Sequence, residues 1–227
     1  MSNPYLTVDS ISLAVGGNPI LQNVSFEAHP GEVLGIVGRN GSGKSVLFKC
    51  VAGLFTPQQG EIVVGGFPVV RSRRFPPDLG ALIEKPGFVG SLSGLENLQL
   101  LASIRGIVGT PAIMEALETV GLSAAARKRV RTYSLGMKQR LGIAQAIMEH
   151  PRLVILDEPT SGLDLAGVEM LHGVVRGLAA DGATVLIASH LSEDIAVLSD
   201  RVLAMDAGVL SAKSGDVRSS DQVEVRS

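Results

Sequence analysis

The chain has a single cysteine, Cys50, in 227 residues. That excludes an internal disulfide framework and fits a reducing compartment. Charge of neither sign dominates, because 20 Lys and Arg stand against 22 Asp and Glu for a net charge of −2. A general nucleic-acid or anionic-membrane binder normally carries a basic excess, so no nucleic-acid partner is expected. No apolar run approaches the roughly 18 residues that a membrane span requires. The longest, Ala183 to Ser189, is strand-sized and closed by His190. The opening MSNPYLTVDS lacks the basic start and apolar stretch of a signal peptide. The expectation is a chain soluble by itself, with any membrane spans supplied by other chains. Internal repeats and low-complexity linkers are also missing, so each motif occurs once.

Glycine is in excess: 27 residues, about 12% against a usual ~7%. A helical bundle has little use for that much glycine, whereas a fold with many strand-to-helix turns and phosphate-contacting loops does. With 45% hydrophobic and 19% charged residues, the chain is too apolar for disorder. Its length suits one domain, or one domain with an insert, and a sizeable core.

Leu6, Val8, Ile11, Leu13 and Val15 mark one strand, and Ile20 to Phe26 another. Glu61 to Val64, Gly65-Gly66 and Phe67 to Val70 read as a hairpin. Glu32 to Val37 is a β-branched run that leads through a glycine-rich turn into a helix over Ser45 to Ala52, stopped by Gly53. Helices follow at Gly94 to Ile104 and Pro111 to Val120, the second with Thr110 as N-cap and Gly121 as its stop. A third begins at Ser134 and ends before Pro151. Beyond it lie a strand over Leu153 to Leu156, a helix over Ala166 to Ala180 and a strand over Thr184 to Ala188. This alternation predicts a parallel sheet flanked by helices, with a helical subdomain inserted. The residues from Ser214 are polar and expected to be frayed.

Gly38-Arg39-Asn40-Gly41-Ser42-Gly43-Lys44-Ser45 matches the phosphate-binding loop G-x-x-x-x-G-K-[ST]. Its glycines let backbone N–H groups turn toward a phosphate chain, and the following helix adds its positive N-terminal end. Lys44 is expected to reach the β- and γ-phosphates, and Ser45 to offer its hydroxyl to Mg²⁺. Leu153 to Leu156 then runs into Asp157-Glu158, which places two carboxylates at the carboxyl edge of a parallel sheet. Asp157 is expected to hold Mg²⁺ through water, and Glu158 to polarise an attacking water.

Over residues 5 to about 212, these motifs and their order resemble the ATP-binding cassette ATPases that drive membrane transporters. Tyr133-Ser134-Leu135-Gly136-Met137-Lys138-Gln139 is similar to the family's signature motif, which implies that Ser134 and Gly136 meet a nucleotide bound on another subunit. Taken alone, Ser134 reads as an ordinary N-cap; its place just before the acidic strand is what favours the signature. Ser161-Gly162-Leu163-Asp164 resembles the dimer-contact loop, and also a plain turn. His190 matches the switch histidine at the γ-phosphate.

The resemblance implies an ATPase with a P-loop parallel-sheet core, an antiparallel β-subdomain and a helical insert at about 86–150, followed by a polar tail at 213–227. It also implies ATP and Mg²⁺ as ligands, an active homodimer, separate membrane permease chains, and a cytoplasmic position on the inner face of the cell membrane. The 113 residues from Lys44 to Asp157 exclude relatives whose motifs are split by a long coiled coil.

Three positions depart from the usual pattern. Val15 stands where many members place an aromatic residue against adenine. Val46 replaces a common Thr, and the lost hydrogen bond is worth about 1–2 kcal/mol. Glu84 stands in place of a Gln. There it resembles the branch that exports antibiotics, peptides, drugs or sodium, and the whole segment Gly80 to Leu98 is similar to bacitracin- and lantibiotic-type exporters. Glu84 is a candidate Mg²⁺ ligand; a surface acid paired with Lys85 is the other reading. Arg127, Lys128, Arg129 and Arg131 read as a solvated helix face or a contact for a partner or phosphate. Two other functions stay open: an ATP-holding regulatory module with little turnover, and a soluble ATPase outside transport.

Overall fold

The computed structural model describes residues 3–190, 195 and 197–212, so the tail expected at 213–227 lies outside the described residues. An antiparallel sheet of order β2-β1-β4-β5 is built from β1 (Leu6–Val15), β2 (Asn18–Ala28), β4 (Gln59–Val64) and β5 (Phe67–Pro68). The apolar alternation in β1 changes phase between Val8 and Ile11. The strand takes up the extra residue as a register shift, with Ser10 at φ 53, so that Leu6, Val8, Ile11 and Leu13 all stay buried.

The Gly65-Gly66 turn forms with φ of 55 and 83, the pair of positive values that closes a tight hairpin. Its second arm is shorter than expected. Pro68 has no N–H to extend the ladder, and Val69–Ser72 turns into the short helix α2.

The second sheet has the order β10-β9-β3-β8-β7-β6. Strands β3 (Val33–Val37), β6 (Leu79–Leu82), β7 (Leu153–Asp157), β8 (Thr184–Ser189) and β9 (Arg201–Asp206) run parallel, and β10 (Val209–Ala212) returns antiparallel to β9. Every residue of β3, β7 and β8 is buried, as expected for parallel strands covered on both faces. Alternate residues feed two cores. Val33, Val37, Val154, Leu156, Val185 and Ile187 join a cluster with Leu98, Leu117, Leu141 and Leu171. Leu34, Ile36, Ile155 and Leu186 join Leu47 and Phe48, together with Leu6, Ile11, Leu21 and Ile62 of the antiparallel sheet. The parallel sheet therefore lies between helices on one face and α1 (Lys44–Val51) with the antiparallel sheet on the other.

Between β6 and β7 the chain forms α3 (Gly94–Arg105), α4 (Thr110–Thr119) and α5 (Leu135–Ile147); α6 (Leu165–Ala180) joins β7 to β8. Helix α3 starts at a capping box in which the Ser93 hydroxyl accepts from the Glu96 N–H and the Glu96 carboxylate accepts from the Ser93 N–H. Thr110 does not cap α4: Gly109 holds that position, and the Thr110 hydroxyl instead accepts from Gln99 Nε2 at 3.0 Å, tying α4 to α3. Arg127, Lys128, Arg129 and Arg131 are exposed as expected, but not on an α-helix face: Arg127 and Lys128 sit on a turn, Arg129 bridges to Ser93, and Arg131 lies in the 3₁₀ segment Val130–Thr132.

Helix α5 rests directly on β6. A Cβ at Gly80 would stand 1.8 Å from the Ala146 carbonyl oxygen and 2.7 Å from Pro151. Since backbone cannot yield as a flexible side chain can, Gly80→Ala is expected to destabilise the fold by about 3 kcal/mol, the upper end of overpacking costs. The midpoint of urea unfolding checks this; a parent-like midpoint would mean that α5 does not pack so closely on the sheet.

Candidate functional site

The residues singled out by motif converge because they follow the carboxyl ends of neighbouring parallel strands, where α/β sheets bind ligands. The glycine-rich loop follows β3, Asp157 and Glu158 stand at the end of β7, His190 follows β8, and Glu84 follows β6. After β3 the loop turns back sharply into α1. Gly43 at the helix start has φ 110, and a Cβ there would approach the Ile20 carbonyl oxygen to 2.9 Å. Arg39, Asn40 and Gly41 are exposed, while Ser42, Gly43 and Lys44 are buried.

Lys44 is only 5% exposed. Its ammonium donates to the carbonyl oxygens of Gly38 at 2.7 Å and Arg39 at 3.3 Å, and its Nζ is 3.8 Å from Glu158 Oε1. The other Glu158 oxygen is 2.8 Å from His190 Nδ1. Glu158 thus bridges a buried lysine and a half-exposed histidine, and it does so on a left-handed backbone with φ 49, uncommon for a residue other than glycine. Its N–H donates to the Ala188 carbonyl of β8. Its own carbonyl and that of Pro159 accept from Gln139 Nε2 of α5, at 3.3 and 3.2 Å. The turn after β7 is therefore held from the sheet and from the helices.

Asp157 is 4% exposed, and its Oδ1 is buried with no hydrogen-bond partner among the described residues. Burial raises its pKa above the usual carboxylate value. A hydrogen bond from the Ser45 hydroxyl opposes the rise, the Glu158 charge adds to it, Lys44 opposes it and Glu84 adds to it. A buried carboxylate with an orphaned oxygen beside a serine hydroxyl suits an oxygen-seeking cation such as Mg²⁺. That ion takes one or two protein carboxylates and completes its shell with phosphate and water. Among the described residues, no group of three or more His, Cys, Asp or Glu is placed to hold a metal ion by itself.

The remaining candidates are arranged differently. Glu84 pairs with Lys49 of α1 rather than with Lys85, and its side chain is 62% exposed. Ser134 caps α5, accepting from the Met137 N–H at 3.1 Å, and is exposed. Gly136 lets that helix start approach the 161–164 loop, since a Cβ would stand 2.8 Å from the Gly162 carbonyl oxygen. Arg140 of α5 bonds Asp164, the N-cap of α6, at 3.0 Å. Val15 is 58% exposed, and Val46 packs against the core beneath α1. Lys49 and Gln139 were assigned no role from sequence. Lys49 lies four residues after Ser45 and so on the same face of α1, a signal present in the spacing. The partner of Gln139 is 19 residues away, so spacing alone could not find it. Two cavities, of about 670 and 580 Å³, lie elsewhere: one against α4 and α6 at the start of β7, the other against α3 and the start of β6.

Known proteins share this chain's sequence pattern and fold. Residues 21–161 match the family described as ABC transporter. An ABC transporter ATP-binding protein of Bacillus subtilis, YdbJ, is 38% identical over 215 residues, covering 94% of this chain and 70% of its own. The bacitracin transport ATP-binding protein BcrA of Bacillus licheniformis is 37% identical, with 92% and 69% covered. The lantibiotic transport ATP-binding protein SrtF of Streptococcus pyogenes is 35% identical, with 86% and 84% covered. A solved ATP-binding subunit of an ABC transporter superposes with a TM-score of 0.83 at 26% identity, covering 92% of this chain and 90% of that one. A dimeric bacterial ABC transporter cassette shares the fold with a TM-score of 0.81 at 22% identity, with 92% and 99% covered. The matched residues span the glycine-rich loop, the signature region and the acidic strand end, and on that ground the chain belongs to the ABC transporter family of ATPases, as its ATP-binding subunit.

Proposed function

We propose that this subunit binds MgATP at the strand ends and uses its hydrolysis to energise export of an antibiotic, peptide or drug through separate permease chains. The observation that carries the site is the line His190–Glu158–Lys44 beside the buried, orphaned Asp157 oxygen. Lys44 would hold the β- and γ-phosphates, and the loop amides from Gly38, Arg39, Asn40, Gly41, Ser42 and Gly43 would cradle the chain. Ser45 and Asp157, with Glu84 alongside, would hold Mg²⁺, which when bound supplies charge neutralisation for the phosphates. Glu158 would accept a hydrogen bond from the attacking water and orient it, and His190 would fix the carboxylate.

Ser134 and Gly136 share no hydrogen bond or ion pair with that line among the described residues, and Leu135 between them and Leu165 at the start of α6 are 61% and 76% exposed. This supports a sandwich in which each nucleotide is completed by the signature of a second copy. Exposed Phe75 and Ile104 border the 580 Å³ groove at the start of β6, an apolar surface suited to a permease. Among the described residues no helix is long and apolar enough to cross a membrane, which fits a subunit placed peripherally on the cytoplasmic face. The relatives named for bacitracin and lantibiotic transport support the export reading.

Lys44→Ala is expected to weaken ATP binding about 10- to 100-fold, the range for losing a charge-assisted hydrogen bond. Glu158→Gln should bind ATP as the parent does but release phosphate at least about 100-fold more slowly, and should accumulate as a dimer with ATP. Phosphate release and light scattering measure the two. Parent-rate turnover in Glu158→Gln would remove Glu158 from the chemistry, and a parent that binds ATP without releasing phosphate would favour the regulatory module.

Ser134→Arg should leave nucleotide binding by the isolated subunit unchanged while stopping turnover, because the new side chain obstructs the opposing subunit's nucleotide. If it instead abolished binding by monomers in equilibrium dialysis, the two-subunit site would be wrong.

A further inference from the structure

The charges around the strand ends are offset in part by a residue that no motif includes. Asp157, Glu158 and Glu84 bring three carboxylates to one edge of the sheet; Lys44 pairs with Glu158, and its charge also reaches Asp157. The second cation is Lys49. Its ammonium meets Glu84 Oε1, and the face of the Phe55 ring lies 5.4 Å from it. Lys49 is mostly buried while Glu84 is largely exposed, so the lysine is the fixed partner and the glutamate the movable one. Lys49 stands one helical turn after Ser45 on the same face of α1, and Glu84 is near enough to Asp157 to raise its pKa. Strands β6 and β7 are in register at Leu82 and Leu156, which places Glu84 and Glu158 at equivalent positions two residues on. Both have left-handed backbone, with φ 61 and 49.

We propose that Lys49 is a positioning residue that latches Glu84 away from the metal position, so that Mg²⁺ must compete with the Lys49 ammonium for this carboxylate. The inference rests on the reading of the site as one for MgATP. The latch makes the Glu84 arm responsive to the metal. With Lys49 engaged, the arm lies against α1 and its charge is offset; with the metal engaged, the arm swings toward Asp157 and Ser45. Since Glu84 begins the connection from β6 to the helices α3–α5, the position of the arm is linked to the segment that carries Ser134.

The test is a Mg²⁺ titration of fluorescent-ATP binding by the full chain, which reads metal use without turnover. Lys49→Met frees Glu84, so the half-saturating Mg²⁺ concentration should fall about 3- to 10-fold, a size suited to a partly solvated pair. Lys49→Arg should behave as the parent. In a Glu84→Gln background, Lys49→Met should shift the midpoint by less than about 2-fold, because the latch is already gone. Lys49→Gln serves if the methionine variant fails to fold, with thermal unfolding as the control. An unchanged midpoint in a folded Lys49 variant would overturn the latch. So would an equal shift in the Glu84→Gln background, which would reveal only a through-space charge effect. Failure of the parent to bind the nucleotide, or parent-like binding by Lys44→Ala, would overturn the MgATP reading itself and the latch with it.

Discussion

The energetic problem that organises this molecule is the buried carboxylate of Asp157. It closes a strand whose every residue is buried, and one of its oxygens has no hydrogen-bond partner among the described residues. An isolated buried charge is costly, and it is tolerated where neighbours or a bound cation compensate it. The Ser45 hydroxyl and the Lys44 ammonium, both from the first turn of α1, provide part of that compensation. Their placement depends on the sharp reversal at Gly43. The loop, the helix and the strand end therefore form one electrostatic unit.

The two-sided core makes this unit possible. Alternate residues of β3, β7 and β8 pack into two separate apolar clusters, which fixes the register of the parallel strands and so the position of each strand end. Asp157, Glu158, His190 and Glu84 inherit their places from that register. The antiparallel sheet and α1 cover one face, leaving the other to α3–α6. The start of α5 is thereby set apart from the phosphate loop, with Gln139 as the tie back to the turn after Glu158.

That tie and the Arg140–Asp164 pair add polar contacts between α5 and the segment that follows β7, on top of the apolar core that the helices share with the sheet. The Glu84 arm lies at the opposite end of the same helical segment, so the segment is flanked by two polar connections to the strand ends.

Local chemistry was legible in the sequence. The glycine-rich loop, the acid pair and the strand–helix alternation each depend on spacings of a few residues, and the structure has a strand or helix where each was read. Strands β6, β9 and β10 were not legible: β6 is four residues with Gly80 inside, and β10 is held by its pairing to β9. Thr110 looked like a cap because it precedes a helix, yet its hydroxyl serves Gln99 on another helix. Glu84 read as a candidate Mg²⁺ ligand or as a partner for its neighbour Lys85; of the two lysines, it is Lys49, 35 residues away, that it meets. In each case a side chain chose between a near group and a distant one, and only packing brought the distant one within reach. Sequence by itself determined which residues could bind phosphate and carry charge. Tertiary structure decided which charges face one another, because parallel-strand register and the seating of α1 and α5 on the sheet are long-range results of burial.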